Sequence, residues 1–157
     1  MSEIVYARID DRLIHGQVMT HWLAYVAGNQ IIIVDDGVAK DAFMASVITA
    51  AAPKEIKTKV LSTADAIEQL THDDGDGRIL LLAKGPKTYC ELMRGGVPLK
   101  EVCLGGLGFK PGREKLYQNI TASAEERDAL KELMNGGVSV YIQVVPNSER
   151  VDLANIL

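Results

Sequence analysis

The chain has 157 residues, of which 47% are hydrophobic, and its formal net charge is −4. This length and apolar content fit one compact domain, residues 1–157, that buries its core without disulfides or a metal. The acidic balance disfavours proteins that bind nucleic acid or anionic membranes, since both usually present a basic surface. The two cysteines form no CxxC pair, which predicts reduced thiols in the cytoplasm. No segment resembles a secretory signal or approaches the ~20 apolar residues that cross a bilayer.

Strand and helix patterns alternate along the sequence. Strands are predicted where β-branched and apolar residues run together, and helices where apolar residues recur at helical spacing. Capping boxes at Ser62 and Ser123, and Pro86 at a helix start, place three of the boundaries. In chain order the predicted elements are strand 4–9, helix 17–27, strand 31–34, helix 39–51, strand 56–61, helix 62–70, polar turn 71–77, strand 79–83, a helix from 86 closed by glycines 95 and 96, strand 100–104, glycine-rich loop 105–112, a shorter strand 117–121, helix 123–135, strand 138–144 and a short helix from 148.

This order of elements predicts an α/β fold in a single domain. Strands separated by helices imply a mainly parallel sheet of seven strands, with right-handed crossovers and helices on both faces. In such sheets the ligand lies at the carboxyl ends of the strands. The loops that begin at Asp10, Asp35, Ser62, Lys84 and Gly105 are therefore the candidates for a functional site.

The first of these loops, IDDRLIHGQV, concentrates chemically useful side chains between a strand and a helix. His15 lies just before the helix, where unpaired N–H groups and the helix dipole favour an anion. A neutral imidazole is a nucleophile near pH 7, and a carboxylate of Asp10 or Asp11 can orient it. Arg12 offers forked donors for phosphate oxygens, and Gly16 lets the backbone approach a ligand. Together these groups predict a histidine that accepts a phosphoryl group.

Other interpretations of the same residues stay open on spacing alone. A histidine at a helix start is often a cap or a surface residue, and nearby Arg and Asp side chains often form a solvated ion pair. A receiver-type phospho-acceptor domain would use Asp10 and Asp11, but it also needs an Asp after the third strand and a Lys after the fifth. The sequence has neither. Nucleotide hydrolysis is disfavoured because GxxxxGK[ST] is absent, and the glycines of 105–112 lack the acidic residue of a dinucleotide site.

The segment ARIDDRLIHGQV resembles the phosphorylation site of IIB proteins of the mannose/sorbose class of bacterial phosphotransferase systems. The likeness continues through IIIVDDGVAKDAF, AAAPKEIKTKVLS, GGVPLKEVCLGGLGF and GVSVYIQVVP, and so covers nearly the whole chain. It implies a seven-stranded, mainly parallel sheet and a phosphate carried on His15, on its Nδ1 nitrogen. Cys103 departs from the resemblance, because many members of the class have Asn at that position, and a thiol cannot replace the hydrogen bonds of an amide.

The resemblance also implies a reaction and its partners. A phosphohistidine on a IIA protein donates to His15, which passes the group to a sugar held by the membrane components IIC and IID. Such a sugar phosphotransferase (EC 2.7.1.-) needs no metal or organic cofactor and associates peripherally with the permease from the cytoplasm. A non-catalytic regulatory or binding module on the same fold is the alternative, and the identity of the sugar is not encoded in recognisable residues.

Around His15 we expect two kinds of helper residue. Asp10 and Arg12 are assigned to catalysis with His15. The residues expected to bind phosphate are Arg8, Asp11, Gly16, Gly105 and Gly106. The surface that meets IIA is predicted to be the rim of this site, with basic side chains from Arg8, Arg12 and either Lys84 or Lys110.

Overall fold

A computed structural model describes residues 2–14, 16–72 and 75–157. The strands are β1 (Glu3–Asp10), β2 (Gln30–Val34), β3 (Lys57–Leu61), β4 (Arg78–Ala83), β5 (Glu101–Gly106), β6 (Glu114–Tyr117), β7 (Ile120–Ala122), β8 (Ser139–Ile142) and β9 (Val151–Asp152). The helices are α1 (Gly16–Val26), α2 (Asp36–Ala39), α3 (Ala42–Ala50), α4 (Thr63–His72), α5 (Pro86–Arg94) and α6 (Ala124–Asn135), and a 3₁₀ turn covers Leu153–Asn155.

Seven of the strands form one sheet in the order β3-β2-β4-β1-β5-β8-β9. Neighbouring strands run parallel except β8 and β9, which pair antiparallel. The unbroken apolar runs of β2 and β4 are buried because helices cover both faces of the sheet there. The predicted fold class, a single α/β domain with a mainly parallel seven-stranded sheet, is confirmed.

Two apolar layers hold the helices against the sheet. One face of the sheet packs against α4, α5 and α6, with Tyr89 and Leu130 at the centre of that layer. The other face packs against α1, α2 and α3, with Trp22 and Val38 at its centre. Tyr6 stacks on Trp22 with ring centroids 4.2 Å apart, which anchors α1 on β1. Because α1 and α5 cover opposite faces, the chain leaves β1 and β4 toward opposite sides of the sheet.

The predicted strand 117–121 is wrong. In its place β6 and β7 form a separate antiparallel hairpin, with register Tyr117↔Ile120. The two residues between these strands form the turn, in which Gln118 has a φ of +47°. The seventh strand of the main sheet is instead β9, in the tail where the sequence predicts only a short helix from 148.

The predicted helix 39–51 is divided in two. The side chain of Asp35 caps α2, and the side chain of Asp41 accepts from Met44 N at 3.1 Å to begin α3. The apolar residues that recur at helical spacing in this segment also face outward, since Phe43 is 76% exposed and Val47 is half exposed. Within the described ranges, no helix has the length and apolar character that crossing a bilayer requires.

Candidate functional site

The loop after β1 lies at the carboxyl edge of the sheet. Here the connections that follow β1 and its neighbour β4 run to opposite faces of the sheet. β1 is central, paired with β4 on one side and with β5 on the other. Its last residue, Asp10, is opposite Gly106 at the end of β5. The loop runs through residues 11–14, and α1 begins at Gly16. His15, the predicted phosphoryl acceptor, lies outside the described residues.

The backbone of this loop is fixed by a turn and by a link to β5. Leu13 N donates to Asp10 O at 3.0 Å, and Asp11 N donates to Gly106 O at 2.9 Å. Leu13 adopts a φ of +58°, and its buried side chain holds the turn against the core. Gly16 has a φ of +51°, a conformation that glycine adopts without steric cost. The sequence therefore folds the loop back on itself before the helix starts.

Asp10 organises the charged groups of the site. Its side chain is 0% exposed and accepts three hydrogen bonds from Arg12: from the backbone N at 3.0 Å, from Nε at 3.1 Å and from Nη2 at 3.3 Å. The Arg12 side chain nevertheless remains 56% exposed. A buried carboxylate thus holds a guanidinium at the surface beside the start of α1, which is a suitable arrangement for a phosphoryl group.

Arg8 lies beneath this pair and is 1% exposed. Its Nε donates to Asp10 Oδ2 at 3.4 Å, and its Nη1 donates to Tyr6 Oη at 2.9 Å. Burial raises the pKa of Tyr6 well above its ordinary range, so the phenol is neutral and can accept this bond. The burial of Arg8 removes it from the surface rim that the sequence predicts. The guanidinium of Arg8 contacts the carboxylate of Asp10 within the protein interior.

The two glycines at the end of β5 make room for these side chains. A Cβ on Gly105 would overlap the guanidinium of Arg8. A Cβ on Gly106 would lie 3.0 Å from Asp10 Oδ1 and 3.1 Å from Arg12 Nη2. The side chains of Arg8, Asp10 and Arg12 therefore fill the space between the end of β5 and the first loop.

Asp11 points toward the glycine-rich loop. Its Oδ2 accepts from Gly108 N at 2.9 Å and from Arg113 Nη1 at 3.3 Å. Arg113 also donates to Glu126 at the start of α6, at 2.7 and 2.8 Å. The sequence analysis missed Arg113, since nothing in the local pattern connects it with a residue 102 positions earlier. Asp11 therefore connects the first loop, the glycine-rich loop and α6.

Glu126 gives this network a pH dependence. Burial alone would raise the pKa of Glu126, but hydrogen bonds from Arg113 and from Ser123 N hold it below its ordinary value. A lowered pKa stabilises the fold above the unfolded-state pKa, and this contribution disappears as the pH falls through the folded-state value. Glu126→Gln is expected to lower the free energy of unfolding by about 1 kcal/mol at pH 7.

Urea unfolding at a series of pH values measures this effect. The deficit of Glu126→Gln should shrink toward zero in acid, where the wild-type carboxylate is itself protonated. Glu125→Gln is the matched control, because Glu125 is an exposed residue in the same first helical turn. A deficit that stays constant at every pH would contradict the assignment of the effect to the charge of Glu126.

An ion pair and a hydrogen bond join the neighbouring loops at the same edge of the sheet. Lys84 Nζ lies 3.5 Å from Asp35 Oδ2, and Asp36 accepts from Thr63 N at 2.7 Å. Asp36 therefore connects the end of β2 to the start of α4, which is a structural role. Lys84 is half exposed and adds a cation to this edge of the sheet.

Cys103, the departure from the family pattern, is buried on β5 beside Arg8. Its thiol donates to Gln143 O at 3.4 Å, and its sulfur lies 3.8 Å from Arg8 Nη1. Burial raises the pKa of the Cys103 thiol, so it stays protonated at neutral pH. The thiol thus joins the layer beneath Asp10 and lies away from the exposed face of the site.

Residues 4–157 match the model of the family described as the PTS system sorbose subfamily IIB component. The fructose-specific EIIB component of Bacillus subtilis is 31% identical over 158 aligned residues, covering 100% of this chain and 97% of that protein. The mannose-specific EIIAB component of Escherichia coli is 30% identical over 96% of this chain, which corresponds to 47% of that protein. The IIBSor domain of the sorbose permease from Klebsiella pneumoniae has the same fold, with a TM-score of 0.91 at 31% identity over 98% of this chain and 94% of that one.

Proposed function

Because the chain belongs to the sorbose subfamily of IIB components of the phosphotransferase system, we propose that its His15 accepts a phosphoryl group from a IIA protein and passes it to a sugar. IIB components are sugar-specific subunits of a phosphotransferase system, so phosphoryl transfer is the general role of this chain. The acceptor residue, the route through the membrane components and the roles of single side chains are the proposal.

The observation that carries the proposal is the Asp10–Arg12 pair at the end of β1. The pair holds an exposed guanidinium four residues before Gly16, where α1 begins and presents its unpaired N–H groups. His15 lies between Arg12 and the first turn of this helix in the sequence. In the sequence, two sources of positive potential therefore stand on either side of a residue type that can act as a nucleophile, which is the combination that a phosphoryl acceptor requires.

The chemistry consists of two in-line displacements. In the first, a ring nitrogen of His15 bonds to phosphorus while the P–N bond of the donor histidine breaks, and the leaving imidazole takes up the proton that His15 loses. In the second, a primary hydroxyl of the sugar bonds to phosphorus while the P–N bond at His15 breaks. The hydroxyl proton ends on the imidazole. Position and charge supply the catalysis in both steps.

We assign different roles to the residues around His15. Arg12 stabilises the phosphoryl oxygens, and Gly16 with the first N–H groups of α1 forms the rest of the anion site. Asp10 positions Arg12. Arg8 and Gly105, both expected among the phosphate-binding residues, act through Asp10, because Arg8 is closed off from solvent and Gly105 makes the space that it occupies.

The remaining two residues of the predicted phosphate site, Asp11 and Gly106, also bind other protein groups. Gly106 accepts a hydrogen bond from Asp11 N, and Asp11 is bound to Gly108 N and Arg113. A carboxylate would repel a phosphate, so Asp11 is better suited to hold the loop than to bind the anion. We therefore propose that Asp11 and Gly106 position the loop.

The proposed partners follow from the family. A IIB component works with a IIA donor and a membrane IIC component, and we extend this to IID and to peripheral attachment at the permease. A relative named as an EIIAB component, of which this chain corresponds to 47%, supports the pairing with IIA. Which sugar is phosphorylated depends on the membrane components and stays open among the classes that the relatives represent.

Intact-mass measurement after incubation with phosphoenolpyruvate, the general phosphotransferase proteins and the IIA protein of a neighbouring gene tests the acceptor. Wild type should gain one acid-labile phosphate, and His15→Ala should gain none. The other two histidines provide matched controls: His21 lies in α1 and His72 ends α4. His21→Ala and His72→Ala should be phosphorylated like wild type.

Two results would contradict the proposal. Phosphate retained in His15→Ala, or phosphate stable in acid, would place the acceptor elsewhere. A folded wild-type protein that takes no phosphate from several competent IIA donors would favour the alternative, a regulatory or binding module on the same fold.

A further inference from the structure

A large apolar side chain stands at the tip of the glycine-rich loop beside the proposed site. Phe109 is 79% exposed, in the segment GGLGFKPGR. This loop leaves the end of β5, the strand paired with β1 at Asp10. Single exposed apolar residues are common on protein surfaces, so exposure alone says little. Phe109 differs from such residues because hydrogen bonds hold the loop that carries it.

The residues on both sides of Phe109 are held in place. Gly108 N donates to Asp11 Oδ2 at 2.9 Å, and Gly108 O accepts from Arg113 Nη1 at 2.8 Å and from Thr121 Oγ1 at 3.0 Å. On the other side, Arg113 N donates to Lys110 O at 3.0 Å and closes a turn. The phenyl ring is therefore presented on a braced loop, and a braced anchor loses little conformational entropy when a partner covers it.

The bracing also fixes Phe109 relative to the phosphoryl site. Asp11, which binds Gly108, is adjacent in sequence to Arg12, the exposed cation of the site. A donor histidine has to come within bonding distance of the acceptor loop, so the surface around the donor must cover the rim of that loop. The tip of the 105–112 loop is part of this rim.

We propose that Phe109 is the apolar anchor that docks the phosphorylated IIA donor, an inference that rests on the proposed function. The segment 105–113 carries no acidic residue, and its exposed cation is Lys110, because Arg113 is paired with Asp11 and Glu126 and is only 10% exposed. With Arg12 it offers a positive, partly apolar surface to a donor that carries the negative charge of a phosphohistidine. The matching surface on IIA is an apolar recess rimmed by carboxylates. Such central aromatic anchors carry a large share of binding energy in protein interfaces.

Single-turnover transfer from phosphorylated IIA measures the effect of Phe109→Ala. At low donor concentration the rate should fall roughly tenfold, the size of a moderate hot-spot truncation, and at saturating donor it should return close to the wild-type value. Phe109→Leu should keep most of the wild-type rate. The midpoint of thermal unfolding should be unchanged in Phe109→Ala and Phe109→Leu, because the ring is exposed and lies outside the two apolar layers.

The second phenylalanine of the chain is a matched control. Phe43 is 76% exposed on α3, which packs against the edge strand β3, four places from β5 in the sheet. Phe43→Ala should transfer at the wild-type rate. An unchanged rate in Phe109→Ala, or an equal loss in Phe43→Ala, would overturn the proposal. A loss confined to the later step, delivery to sugar in membranes containing IIC, would overturn it in favour of a membrane partner.

A titration of the ¹⁵N-labelled protein with unphosphorylated IIA separates this inference from the proposed acceptor. If His15 proves not to carry phosphate, the amide signals of Phe109, Lys110 and Gly112 should still shift on addition of IIA. Phe109→Ala should need roughly tenfold more IIA for the same shifts at Lys110 and Gly112. If His15 carries phosphate while these signals stay in place through saturation, the docking assignment is wrong and the acceptor assignment stands.

Discussion

Replacement of Asp10 by asparagine is expected to destabilise the protein by about 3–5 kcal/mol, because it leaves the buried guanidinium of Arg8 without its anionic partner. The same change removes the negative charge that holds Arg12, and it replaces Oδ2, which accepts from Arg12 Nη2 and Arg8 Nε, by an amide group that cannot accept. Phosphoryl transfer should therefore slow by roughly a hundredfold, the effect of a misplaced catalytic group. Urea unfolding gives the first quantity, and single-turnover transfer at a temperature where the variant is folded gives the second.

Arg8→Met separates the two effects. In the double variant Asp10→Asn with Arg8→Met, no buried charge is left, and replacement of a buried ion pair by apolar groups is often close to neutral. Most of the lost stability should therefore return, while transfer stays slow because Arg12 still lacks its carboxylate partner. A double variant that recovers both stability and rate would contradict a role for Asp10 in the reaction. An Asp10→Asn protein as stable as wild type would contradict the dependence of Arg8 on this carboxylate.

The sequence predicts the central sheet well for a physical reason. The runs 31–34 and 79–83 are buried on both faces, and such strands are recognisable in a sequence as unbroken apolar segments. Helices with strong local signals, such as α5 behind Pro86 and α6 behind its capping box, also begin where expected. Local chemistry decides these elements, so local patterns are enough to find them.

The errors arise where tertiary contacts or turn chemistry decide. A helix break at Asp41 is invisible in a stretch that is otherwise compatible with one helix, and the cap forms only because the chain turns between α2 and α3. The 117–121 segment is compatible with a strand until Gln118 takes a positive φ and reverses the chain. Phe43 has the spacing of a core residue, but the sheet edge beneath α3 leaves it exposed.

The contacts of the site also divide into those that local sequence predicts and those that depend on tertiary structure. Asp10 and Arg12 are two residues apart, so their pairing could be inferred from the sequence. Arg113 could not be inferred, because its contact with Asp11 forms only when the hairpin and the first loop meet. The burial of Arg8 could not be inferred either. It depends on Gly105, a residue of another strand that supplies space by having no side chain.

Gly105→Ala is therefore expected to act on the site from a distance in sequence. The added Cβ would overlap the guanidinium carbon of Arg8, and Arg8 is enclosed, so it cannot move aside into solvent. Overpacking of this kind costs about 3 kcal/mol. The displaced guanidinium should disturb Asp10 and, through it, Arg12, so transfer should slow as well. Urea unfolding and single-turnover transfer measure the two effects.

Gly108→Ala is the matched control for stability, since Gly108 follows β5 three residues after Gly105 and its Cβ would be at an ordinary 3.7 Å from Asp11 Oδ2. Its free energy of unfolding should stay within about 0.5 kcal/mol of wild type. Arg8→Met then tests the cause: a flexible, uncharged side chain can yield to the new methyl group, so the double variant should be more stable than the sum of the single effects predicts. If the two effects simply add, the loss in Gly105→Ala comes from the backbone of β5, and the space at Gly105 does not serve Arg8.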